Sequence, residues 1–258
     1  PPTSPTALAR AADALGPWAG LLHWYDDIGS TNDTALALAE QGGREGLVVA
    51  ADAQHAGRGR VGRQWFSPRG AGLYLSCILR PSPEVLPLVT LAAGLGIAEG
   101  IGEATGLCPL VKWPNDLLIE GRKVGGILAE TGVGPDGGLF AVVGVGINVT
   151  GCQWPKEIRD TATALDVELG RPIERAAVMA ACLVHWRERY EDLRAGRGPR
   201  VVDAWRARAS AIVGRRVEWD DAGAARRGVV HAIGDDGALR VQTDDGVVRI
   251  ASGEVRWC

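Results

Sequence analysis

Two short stretches hold the side chains best suited to chemistry. The first is Gly57-Arg58-Gly59-Arg60-Val61-Gly62-Arg63. Glycine lets backbone approach a ligand closely, and arginine offers a planar fork that matches carboxylate and phosphate oxygens. Arg58, Arg60 and Arg63 set among these glycines suit an anionic ligand. No GKS or GKT follows, so this is not a Walker loop; a solvated basic loop or an RGG-like RNA contact has the same composition. The second stretch is Lys112-Trp113-Pro114-Asn115-Asp116. Lysine and arginine together number 28, yet lysine occurs only at Lys112, Lys123 and Lys156. A chain that uses arginine almost everywhere thus keeps two ammonium groups within Lys112–Lys123. An ammonium is a compact point charge, and crowded phosphate or carboxylate chemistry favours the smaller group.

The elements that must position these residues follow from periodicity. Ser4–Leu15 reads as a short helix with Ser4 as N-cap and Pro5 in the first turn. Thr31–Gln41 is a second helix, opened by Ser30 and stopped at Gly42-Gly43. Leu47–Ala53 is an apolar strand, and Gln54–Gly72 a long loop expected to be mobile until a ligand binds. Leu73–Leu79 is a strand. Val85–Thr105 is a helix with a small-residue face. Leu110–Trp113 is a strand ended by Pro114. Leu117–Ile119 and Val124–Glu130 form a hairpin around Gly121-Arg122. Leu139–Val149 is a strand in which Gly144 and Gly146 mark a bulge or a close approach. Glu174–Arg194 and Val201–Ser210 are helices. Beyond Ile212 the chain changes to short alternating runs, Val217–Trp219, Gly228–Ile233, Ala238–Gln242 and Val247–Ile250, expected to make a small antiparallel barrel. The expected class is α+β, with a mixed β-sheet unit flanked by helices over residues 1–211 and a small SH3-like β-barrel over 212–258.

Bulk properties exclude several functions. The 258 residues are 46% hydrophobic and 23% charged, with a net charge of -3, which is poor for binding nucleic acid through bulk charge. Five scattered cysteines without a CxxC fit a reducing cytoplasm better than a disulfide scaffold. The four histidines lie far apart, without HxxxH or HExxH, so a structural zinc site is not expected. No run of about 18 apolar residues is present and no secretory signal is visible, so no membrane role is expected.

Five blocks resemble the biotin protein ligases in order and spacing: Ser30-Thr31-Asn32, Gln54 through Trp65, Lys112–Asp116, Lys123-Val124-Gly125-Gly126-Ile127-Leu128-Ala129-Glu130, and Gly144-Val145-Gly146-Ile147-Asn148. The resemblance implies a two-step reaction. Biotin and ATP give biotinyl-adenylate and pyrophosphate, with Mg2+; a lysine of a biotin carboxyl carrier protein domain, part of a biotin-dependent carboxylase, then takes the biotin. It also implies roles. Ser30, Thr31, Asn32 and Gln54 would line the biotin head. Arg58, Gly59 and Arg60 would close over the acyl-phosphate, Arg58 sharing in catalysis and Arg63 adding charge. Lys112 would touch the α-phosphate and the reacting carboxylate, and Lys123 would be a second ligand-binding lysine. Gly125 and Gly126 would admit the ligand against backbone. Trp65 and Asn148 would hold adenine. Asp116 would help organise metal or phosphate, or else cap a strand end.

A lipoate protein ligase or octanoyltransferase shares the general fold and is the nearest alternative; a non-enzymatic biotin-sensing regulator is the other. Only 29 residues precede Ser30 in this sequence, too few for a winged-helix DNA-binding domain, so no DNA contact is expected. Apart from Trp65, the tryptophans, Trp113 and Trp257 among them, read as packing residues, and His55 as a loop residue.

Overall fold

A computed structural model describes residues 20–209, 212–221, 223–253 and 255–258. The expected Ser4–Leu15 helix lies outside these residues. The larger sheet has seven strands: β1 (Leu22–Tyr25), β2 (Val48–Ala51), β3 (Gly72–Leu79), β4 (Leu110–Lys112), β5 (Asp116–Ile119), β6 (Arg122–Val133) and β7 (Leu139–Asn148). Their spatial order is β1-β2-β3-β7-β6-β5-β4. Only the β1–β2 pair is parallel, so the sheet is mixed as expected. Strand β1 was not foreseen; its run Leu22-His23-Trp24-Tyr25 is too short to show a period.

Each face of the sheet is apolar for its own reason. Val143, Val145 and Ile147 of β7, with Leu73, Leu75, Cys77 and Leu79 of β3, point to one side, as strand alternation requires. There they meet α2 (Val89–Thr105), α4 (Arg175–Arg194) and α5 (Gly198–Arg208). A Cβ at Gly96 or Gly100 of α2 would run into the α4 backbone at Trp186 or Cys182, which explains the small-residue face. The stretch Leu86–Thr105 is long and apolar enough to cross a membrane by composition, but it is mostly buried here, as core helices are. Helix α1 (Thr31–Glu40) covers the other face, setting Ala35 and Ala39 on Val49, Ile78, Phe140 and Val142. A short α3 (Leu165–Leu169), also unforeseen, follows β7.

The C-terminal sheet holds β8 (Arg216–Asp221), β9 (Ala224–Ile233), β10 (Leu239–Thr243), β11 (Gly246–Ile250) and β12 (Val255–Trp257), all antiparallel in the order β11-β10-β9-β8-β12. That is one strand more than expected, and among the described residues the two edges do not pair to close a barrel. Val217, Trp219, Val230, Leu239 and Val241 join the core beneath the larger sheet. Trp113 is a core residue, as expected: its indole Nε1 donates to the Gly237 carbonyl at 3.0 Å and ties the two sheets together. The Trp113–Pro114 peptide is cis.

Candidate active site

The α1-facing side of β7 organises a cleft. Gly144, Gly146 and Asn148 lie on it at two-residue spacing, about 6–7 Å per step along the strand. Leu128 and Gly126 of β6 stand opposite Gly144 and Gly146. Beyond the end of α1 this face opens into a cavity of about 490 Å³. The rim comes from the Arg58–Phe66 loop, the Lys112–Lys123 hairpin, Trp154–Ala162, and Gly253 and Val255 of the C-terminal sheet.

Under α1 the wall is a closed polar network. The Ser30 hydroxyl caps α1, accepting from the Asp33 amide at 3.4 Å. The Thr31 amide and hydroxyl donate to Gln54 Oε1 at 2.8 and 3.1 Å, and Gln54 Nε2 donates to Ser67 Oγ at 2.9 Å. Asn32 Nδ2 donates to Glu130 Oε2 at 2.7 Å, while Asn32 Oδ1 lies 2.7 Å from the Ser76 hydroxyl. Glu130 also accepts from Arg58 Nη2, and Asp33 pairs with Arg58 Nε at 3.0 Å. Ser30, Thr31 and Asn32 are buried. A Cβ at Gly144 would overlap the Asn32 amide, so glycine there admits Asn32.

Further along β7 the wall turns aromatic and cationic. The Trp65 indole lies on Gly146 and Gly126, where a Cβ would strike it. Its Nε1 is buried with no hydrogen-bond partner among the described residues. Lys123 Nζ stands 5.4 Å from that ring and pairs with Asp116 at 2.6 Å. Lys123 is also held by its backbone, which exchanges bonds with Thr161 and Thr163. Asn148 Nδ2 donates to the Thr163 carbonyl at 2.9 Å. Arg60 donates to Asn115 Oδ1 at 3.2 Å and to the Gly253 carbonyl at 3.1 Å. Lys112 is half-buried, and that burial lowers its pKa from the ordinary 10.5; Lys123 and Arg215 push the same way while Asp116 opposes them.

All the expected site residues line this one cavity except Gly125. On β6 a glycine pair must point to opposite faces: Gly126 faces Trp65, whereas Gly125 packs against Leu117 and the Gly146 carbonyl. The Gln54–Gly72 loop has more internal structure than expected. Gly59 N bonds Arg63 O at 2.7 Å and Trp65 N bonds Gly57 O at 2.9 Å, around a 3-10 turn at Arg60–Gly62. Val61 at its tip takes a left-handed conformation (φ 54°) and is 73% exposed. Asp116 serves Lys123 at the start of β5, and no cluster of three His, Cys, Asp or Glu side chains fit for a metal occurs among the described residues. Sequence reasoning missed Ser76, Ser67, Asp33 and Glu130. For Ser76 the signal was present: in Leu73-Tyr74-Leu75-Ser76-Cys77-Ile78 the even positions share the α1 face, and a serine among apolar residues there needs a partner.

The cleft is thus one for an elongated ligand, with a hydrogen-bonded polar network at one end and cations beside an unsatisfied indole at the other. Comparison with known proteins agrees. Residues 26–148 match the family model of the biotin/lipoate A/B protein ligases, and residues 212–256 that of the biotin protein ligase C terminal domain. The chain is 36% identical over 238 residues to the bifunctional ligase/repressor BirA of Bacillus subtilis, covering 91% of this chain and 73% of that one. It is 35% identical to a biotin--[acetyl-CoA-carboxylase] ligase of Paracoccus denitrificans, covering 88% and 96%. The biotin protein ligase of Aquifex aeolicus, solved with biotin and ATP, superposes with a TM-score of 0.79 at 30% identity, covering 92% of this chain and 98% of that one. The chain belongs to the biotin protein ligase family.

Proposed function

We propose that the chain activates biotin with ATP and transfers it to a lysine of a biotin carboxyl carrier protein domain. In the first step the biotin carboxylate attacks the α-phosphorus, the bond to the β-phosphate oxygen breaks, and pyrophosphate leaves. In the second, the carrier amine attacks the acyl carbon, AMP leaves, and the amine proton passes to solvent. The observation that carries this reading is the order of groups along one face of β7. The Asn32–Gln54 network lies at Gly144, Trp65 covers Gly146 with Lys123 beside its ring, and Asn148 stands beyond, which suits an acyl head at one end and a base flanked by cations at the other.

The family resemblance suggests the roles, and the shared cavity supports them. Ser30, Thr31, Asn32 and Gln54 offer donors and acceptors to the ureido ring. Lys112, Lys123, Arg58, Arg60 and Arg63 offset the repulsion between carboxylate and polyphosphate and stabilise charge that builds in transfer. Gly126 leaves room for the Trp65 ring and the Lys123 side chain at the cavity, and Gly59 keeps the loop close. Trp65 stacks on adenine, with Asn148 beside it. Among the described residues no cluster of three His, Cys, Asp or Glu side chains would hold a metal; a Mg2+ entering with ATP would take its ligands mainly from phosphate oxygens and water and would neutralise phosphate charge. A ligase unit, 1–211, and a C-terminal unit, 212–258, belong to this reading, supported by two separate sheets. The five free cysteines suit the reducing cytoplasm. The acceptor class rests on the relatives named as acetyl-CoA-carboxylase ligases.

The test is ATP-dependent labelling of a carrier domain with biotin, with lipoate and octanoate as controls, alongside pyrophosphate exchange. Biotin-dependent exchange and transfer are expected. Labelling with lipoate alone, or biotin binding without turnover, would overturn the assignment.

A further inference from the structure

Lys112 is held from a direction the five sequence blocks do not include. Its Nζ stands 5.6 Å from the ring centroid of Trp257 in the C-terminal sheet. That distance lies within cation–π range, and tryptophan has the best face for it. The ring is well anchored: β12 pairs with β8, Trp257 opposite Val217, and the Cys258 amide bonds the Arg216 carbonyl at 3.1 Å. The indole nitrogen of Trp257 is buried with no hydrogen-bond partner among the described residues. A buried, unpaired N–H is a cost that phenylalanine or leucine would avoid while filling similar space. What tryptophan adds is a π face that leucine lacks and that is stronger than phenylalanine's.

We propose that Trp257 is a positioning residue for Lys112: its ring, delivered by the C-terminal sheet, holds the ammonium at the cavity wall for the first chemical step. Trp257 does not line the cavity itself and stands behind the lysine. Arg215 shares the ring at 5.6 Å. The ammonium therefore sits among one attractive face, the Asp116 carboxylate, and two repelling cations, Lys123 and Arg215. Without the ring, Lys112 would swing toward Asp116 or into solvent. The inference rests on the reading that Lys112 meets the reacting phosphate.

The test uses the full chain and biotin-dependent ATP–pyrophosphate exchange. Trp257→Leu is expected to lower kcat by roughly tenfold with the KM for biotin unchanged, whereas Trp257→Phe keeps most of the rate. A Trp257→Leu variant with the wild-type kcat overturns the proposal, as does equal damage from Leu and Phe, since loss of packing alone would not distinguish an aromatic face. If Trp257→Leu does not fold, Trp257→Met takes its place under the same criteria. Lys112→Ala separates the two failures. If it leaves exchange intact, the reading of the site is wrong; if it abolishes exchange while Trp257→Leu is unaffected, only the role of Trp257 is wrong.

Discussion

At the α1 end of the cleft the polar side chains of Thr31, Asn32, Gln54, Ser67, Ser76 and Glu130 are bonded to one another. At the far end the Trp65 indole has no partner among the described residues, and Lys112, Lys123, Arg60 and Arg63 outnumber the single carboxylate of Asp116 along the cavity. A satisfied network is preorganised: it presents a fixed pattern to a neutral ring and needs little rearrangement. A cation-rich wall suits an anionic ligand. Arg58 stands between the two. Its guanidinium is occupied by Glu130 and Asp33, so a ligand carboxylate or phosphate would replace carboxylates of the protein itself.

The largest expected effect is on what both ends share. Arg175 in α4 and Asp52 form a buried ion pair at 2.7 Å without hydrogen-bond alignment, and Arg175 also donates to the Gly72 carbonyl at 3.1 Å, so one side chain clamps both stems of the loop. Removing one partner of a buried pair costs about 3–5 kcal/mol. Arg175→Ala should show a loss of that order in chemical denaturation, and an unchanged midpoint would show that the stems hold without it.

Lys112→Ala should separate the ends cleanly. Pyrophosphate exchange is expected to fall by about 10²–10³-fold, the usual loss for a group that stabilises developing charge, while calorimetric biotin binding persists. Loss of both together would mean that the two ends form one unit.

Two glycines two residues apart give a finer test. Gly144→Ala intrudes on Asn32, and Gly146→Ala intrudes on Trp65. Overpacking of this kind costs roughly 1–3 kcal/mol. The first should weaken biotin binding and leave the KM for ATP near its original value; the second should do the reverse. Identical effects would remove the distinction between the ends.

Acidity offers another. Burial lowers the Lys112 pKa, so its ammonium loses its proton at a lower pH than an ordinary lysine. Adenylation should therefore decline on the alkaline side earlier than a free lysine would dictate, while biotin affinity stays level over the same range. The smallest effect belongs to Ser30. Ser30→Ala removes the N-cap of α1 and should lower stability by about 1 kcal/mol, with a modest rise in the KM for biotin.

The sequence alone determined the kinds of group at the site and most of the elements that bear them. Lysine scarcity singled out Lys112 and Lys123, and runs of two-residue and helical period located β3, β6, β7, α1, α2 and α4 to within a few residues. Those signals are local, set by backbone geometry and side-chain alternation. The tertiary structure alone decided which of two adjacent glycines meets the cavity, because the face of β6 is set by its register with β5 and β7. It also decided that Arg58 is already paired and that the serine of β3 completes the Asn32 contact. Most remote from any sequence signal is the meeting of Lys112 with Trp257. Those residues lie far apart along the chain, and only the shared core under the two sheets brings the ring to the ammonium.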